Sequence, residues 1–80
     1  MEERQAKWEA RLEKATGGAR MMTLSQFARY LGKDRRTAAG MVGSLDKYPI
    51  GRTINYDVED LARVLAGLPK VDSILEAGER

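Results

Sequence analysis

The 80-residue chain contains no cysteine and no histidine. Without thiols there is neither a disulfide framework nor a thiolate metal site to reinforce a small core. Without imidazole, the commonest general base and the commonest zinc ligand are both missing. An enzyme built here would have to run on carboxylates, lysines or backbone alone. No catalytic residue, no metal and no cofactor is therefore expected. Uncharged apolar stretches span only a few residues, too short for a membrane crossing. The opening "MEERQAKWEARLEK" is densely charged and has no apolar centre, unlike a secretory signal. The cytoplasm is the expected compartment.

What is present suits one small domain. A chain this size buries only about 60–65% of its unfolded surface, so its core is thin. Net charge is only +2, but it is unevenly spread. Residues 21–56 hold Arg29, Lys33, Arg35, Arg36, Lys47 and Arg52 against Asp34 and Asp46, a local balance of +4. Residues 57–80 carry −3, and residues 1–20 are close to neutral. Positive charge is concentrated in the middle, where the turn signals also cluster.

Residues 2–15 contain fair helix formers with no glycine or proline between them. Trp8, Leu12 and Ala15 give this helix a narrow apolar seam, and Glu9 and Glu13 form a like-charge i,i+4 pair. Thr16-Gly17-Gly18 ends it. A capping box, Thr23 with Gln26, opens a second helix whose buried stripe is Leu24, Phe27, Ala28 and Leu31. Gly32 stands where a left-handed C-cap belongs. Asp34 then caps a third helix reaching about Ser44, with Ala38, Met41, Val42 and Leu45 on its inner side. Two short helices joined through a glycine turn have helix-turn-helix spacing.

After Leu45 the period shortens. Tyr48, Ile50, Ile54 and Tyr56 alternate around Gly51-Arg52 as in a hairpin, and Pro49 belongs on its outer edge. Asp57, with Asp60 three residues on, caps a helix lined by Leu61, Val64, Leu65 and Leu68 and closed by Gly67 and Pro69. The tail either adds one weak turn around Val71 to Leu75 or simply frays. The expected fold is mainly α with a small β-hairpin: a winged helix-turn-helix over residues 19–68, preceded by a helix and glycine linker (1–18) and followed by a tail (69–80). Packed on the helices, the hairpin forms the wing.

The stretches "LSQFARYLGKDRRTAAGMV" and "YPIGRTINYDVEDLARVLAGL" together resemble the excisionase-type and MerR-type winged helix-turn-helix domains. The shared signs are a Leu-Gly helix end, an Asp-Arg-Arg-Thr opening, an Ile-Gly-Arg turn and a closing helix containing Asp-Leu. The resemblance covers residues 22 to 68. It implies that Arg35, Arg36 and Thr37 meet DNA at the front of the recognition helix. It also places Arg52 at the wing tip, along phosphates or in a minor groove. The chain departs from the pattern at Ala39 and Gly40, which stand where Tyr and Arg or Lys are frequent.

Each of these residues also has a plainer explanation. Arg35 and Arg36 could be solvated surface charges, but cations in a first helical turn oppose the helix dipole, and a polyanion would explain them. Ala39, Gly40 and Gly43 either let a backbone come close or lie under a neighbouring element. Glycine inside a helix costs about 1 kcal/mol relative to alanine. Thr53 and Asn55 extend the wing contact begun by Arg52, or simply belong to a hairpin. Lys33 and Lys47 add general positive charge. Trp8 either covers the domain's own core, the favoured reading, or anchors a dimer or a partner groove. Tyr30, Tyr48 and Tyr56 read as core-edge residues.

The expected partner is double-stranded DNA, bound by a small phage or mobile-element protein of excisionase or regulator type. A dimer or cooperative array through the Trp8 helix would raise occupancy. A winged-helix module that docks a protein, and a packaging-type DNA adaptor, are the alternatives.

Overall fold

The computed structural model describes residues 3–69. The turn expected at Val71 to Leu75, with nearly all of the 69–80 tail, lies outside the described residues. Four helices and three short strands follow in the order α1 (Glu3–Ala15), β1 (Met21–Thr23), α2 (Leu24–Leu31), α3 (Arg35–Met41), β2 (Tyr48–Ile50), β3 (Thr53–Asp57) and α4 (Val58–Ala66). The protein is mainly helical, with one three-stranded antiparallel sheet in the order β1-β3-β2.

α1 stops where its sequence tells it to. Gly17 and Gly18 take positive φ of 73° and 98°, a region that side chains with a Cβ avoid. The Gly18 amide donates to the Glu13 carbonyl at 2.7 Å, closing the helix end. α1 runs antiparallel along α4. At one end Arg4 Nη2 donates to the Leu68 carbonyl at 3.0 Å, and at the other the Val58 amide donates to the Arg20 carbonyl at 2.9 Å. Leu12 is wholly buried, Trp8 packs against the same core, and Ala15 is left exposed. The Arg11 guanidinium sits 5.0 Å from the centre of the Trp8 ring, a cation–π contact. Glu9 and Glu13 are not left to repel each other. Arg20 Nη2 reaches Glu9 at 2.6 Å and Nη1 pairs with Glu13, clasping the helix to the chain that enters β1.

The capping box at the head of α2 forms as the sequence suggests. The Gln26 amide donates to Thr23 Oγ1 at 3.1 Å, and the Thr23 amide donates to Gln26 Oε1 at 2.9 Å. Gly32 ends α2 with φ 72°, and Lys33 donates to the Ala28 carbonyl at 3.0 Å. The three-residue turn from Gly32 to Asp34 then leads into α3, which packs on α2. α3 ends at Met41, three residues short of Ser44. Gly40 and Gly43 weaken its last turn, and the chain passes through Val42 at φ −107° into irregular turns. Ala38 and Val42 are buried, with Met41 and Leu45 packed beside them.

The sheet departs from the hairpin reading in having a third strand. β1 pairs with β3 through Met21–Asp57, Met22–Tyr56 and Thr23–Asn55. β2 occupies an outer edge, where the missing amide of Pro49 costs no ladder bond. Met22 and Tyr56, partners across the ladder, are both buried. They join Leu12, Phe27, Ala38, Val42, Val58, Leu61, Ala62 and Leu65 in one core. Leu68, expected on the inner stripe of α4, is 43% exposed, and Tyr48, expected at the edge of the core, is 36% exposed. Leu68 follows the Gly67 cap, past the last turn of α4, and Tyr48 lies on the edge strand. No helix among the described residues is long and apolar enough to cross a membrane.

Candidate functional site

β1 determines where the candidate residues stand. By pairing with β3 it lays the head of α2 beside the hairpin, and the turn through Gly32 returns the head of α3 to the same region. Between them lies a concavity of about 540 Å³ lined by Thr23, Leu24, Ser25, Arg35, Lys47, Arg52, Thr53, Ile54 and Tyr56. Three cations reach it from three places: the first residue of α3, the segment before β2, and the hairpin turn. No residue of α1 lines it.

Among the described residues, no carboxylate pairs with Arg35, Lys47 or Arg52. Lys47 Nζ approaches the Gly43 carbonyl at 3.5 Å, steadying the turn that follows α3. Acidic charge gathers elsewhere. Partial burial, followed by the nearby carboxylates Asp46, Asp60 and Asp57, raises the pKa of the Tyr48 phenol. None of those three carboxylates lines the concavity. Three unneutralised cations around one hollow favour an anionic occupant.

The other candidate residues divide into those already engaged and those standing free. Asp34 Oδ1 accepts from the Thr37 amide at 2.9 Å. Hydrogen bonds from the Thr37 side chain, then from its backbone, hold the Asp34 carboxyl below its ordinary value of 3.8. Thr37 thus works as part of the cap. Asn55 Nδ2 donates to Thr53 Oγ1 at 3.0 Å, and Thr53 Oγ1 donates to the Ile50 carbonyl at 3.2 Å, so both side chains brace the hairpin. Lys33 projects from the α2–α3 turn and Arg36 from the first turn of α3, both exposed and outside the concavity.

Ala39 and Gly40 are exposed, and a Cβ built on Gly40 would meet nothing within 4 Å. The idea that another element crowds this side of α3 is therefore incorrect for Gly40. Of α3, only its first residue, Arg35, lines the concavity beside the hairpin.

Thr23, Leu24, Ser25, Ile54 and Tyr56 belong to the concavity but were not among the sequence candidates. Thr23 was legible only as a cap. The strand that brings it to the hairpin is three residues long and pairs with residues more than thirty positions away. Local periodicity carries no sign of such a pairing.

The hairpin also exposes Ile50 (53%) and Ile54 (44%). A second hollow of about 540 Å³, lined by Arg4, Lys7, Trp8, Leu65, Leu68 and Pro69, lies at the end of the α1–α4 pair. No group of three or more Asp or Glu among the described residues is arranged to hold a metal ion. No protein-family model, curated protein or solved structure matches the chain.

Proposed function

We propose that this chain is a small, non-enzymatic protein that binds double-stranded DNA through a winged helix-turn-helix, most like an excisionase or regulator of a phage or mobile element. On this reading α2 and α3 are the helix pair, β2 and β3 are the wing, and α1 is an added brace. It acts in the cytoplasm. The supporting observation is the convergence of Arg35, Lys47 and Arg52 on one concavity without a carboxylate partner among the described residues. A duplex backbone supplies the missing negative charge. Arg36 and Lys33, both exposed near the start of α3, add further positive charge.

Binding of this kind releases counterions, so its affinity must fall with salt. Titration against mixed-sequence duplex should show a drop of roughly ten- to a thousandfold between about 50 and 200 mM salt, for some four to six phosphate contacts. Absence of salt-sensitive binding at tens of micromolar would remove the proposal.

A second reading is favoured by Ile50 and Ile54, whose exposure on the hairpin suits a protein partner as well. It predicts no salt-dependent duplex binding, so the same titration separates the two.

A further inference from the structure

We infer that the duplex is held through its phosphates and its shape, with little reading of base sequence. This rests on the DNA-binding proposal above and specifies what that surface recognises.

Discrimination between bases needs side chains that carry paired donors or acceptors to base edges, such as Arg on guanine or Asn on adenine. Here nearly every such group is committed elsewhere. Arg35 and Arg52 line the concavity together with Lys47. Asn55 Nδ2 is engaged with Thr53, and the Thr37 backbone amide with Asp34. The exposed stripe of α3 runs Arg36, Ala39, Gly40 and, just past the helix, Gly43, at helical spacing. Beyond Arg36 it offers nothing longer than a methyl group.

Gly40 has open space around its Cα, so no neighbouring element requires its lack of a side chain. A bare helix surface can lie close to a sugar-phosphate wall, but it cannot interrogate a base pair. One arginine cannot specify a site by itself. Contacts to phosphate fix register and orientation without conveying sequence.

Two measurements test this. Selection from a pool of random duplexes should yield no sequence bound more than about a hundredfold better than the pool, whereas sequence readers ordinarily reach about a thousandfold or more. A preference above a hundredfold overturns the inference.

The second measurement uses Gly40→Lys, with Gly40→Ala as its control. The lysine should tighten binding to mixed-sequence duplex about three- to tenfold and steepen the salt dependence by roughly one counterion. The alanine should leave affinity within about twofold while raising the melting temperature, since alanine is the better helix former. An unchanged affinity for Gly40→Lys takes this helix side off the duplex and overturns the inference. If the unaltered chain shows no salt-sensitive binding, the DNA proposal itself falls, and this inference with it.

Discussion

The α1–α4 half of the molecule and the α3–hairpin half treat the same kinds of residue in opposite ways. In the first, Leu12, Leu61 and Leu65 are buried, Arg20 is held by two glutamates, and Arg63 pairs with Asp60 at 3.0 Å. In the second, Ile50 and Ile54 are exposed, and no carboxylate among the described residues pairs with Arg35, Arg36 or Arg52. Local stability does not explain this difference. Two arginines at a helix start and two glycines near its end both work against α3. Both halves contribute to the core, but the α3–hairpin half gives it Ala38, Val42 and Tyr56 while leaving Ile50, Ile54, Arg35 and Arg52 on the surface.

The largest expected effect breaks the first half. Leu12→Ala should cost about 2–5 kcal/mol, the usual range for a buried leucine. Eighty residues at ordinary stability hold only about 4–12 kcal/mol. Urea unfolding should shift as one cooperative transition, because Leu12 shares its core with Phe27 of α2 and Val58 of α4. Loss of α1 alone, with the rest intact, would show two separable units.

Next comes the second half. Replacing Arg35 and Arg52 together with alanine should weaken duplex binding by roughly a hundredfold, the worth of two charge-assisted contacts. Neither side chain supports the core, so the melting temperature should stay within a few degrees. A large loss of stability without a matching loss of binding would reverse the roles assigned to the two halves.

A smaller effect is expected at the Arg20 clasp. Arg20→Ala should lower the melting temperature by about a few degrees, since exposed ion pairs are individually weak. High salt should shrink that difference, and duplex affinity should not change.

The smallest effect concerns Asp34 and acid. Its folded-state pKa lies below the ordinary 3.8. Its contribution is therefore complete above 3.8 and is lost as pH falls through the lower folded value. Helicity measured from pH 7 downward should show a component near the start of α3 that vanishes in Asp34→Asn, because Asn caps a helix without titrating.

The helices were largely legible in the sequence, because caps and periodicity are local. Thr23 with Gln26, Gly32, Asp34 and Asp57 all act at the helix boundaries they suggest. α3 ends before Ser44, although the Met41, Val42, Leu45 spacing continues a helical pattern, because Gly40 and Gly43 do not sustain it. β1 leaves no local sign, because "MMT" has no period to read and its partner lies far along the chain. The Glu9–Glu13 pair looked like a liability because Arg20 reaches it only after the Gly17-Gly18 turn reverses the chain. Of the residues lining the concavity, Arg35, Lys47, Arg52 and Thr53 stand out in the sequence one by one. Their convergence depends on β1, as does the participation of Ser25 and Ile54.

The contrast between the halves can be read in one titration. Backbone amide shifts followed by NMR as mixed-sequence duplex is added at low salt should move for Arg35 to Gly43 and for Lys47 to Asn55. Those of α1 and the outer side of α4 should stay in place. Shifts confined to Trp8, Leu65 and Leu68 would put the partner on the other end of the molecule and contradict the account.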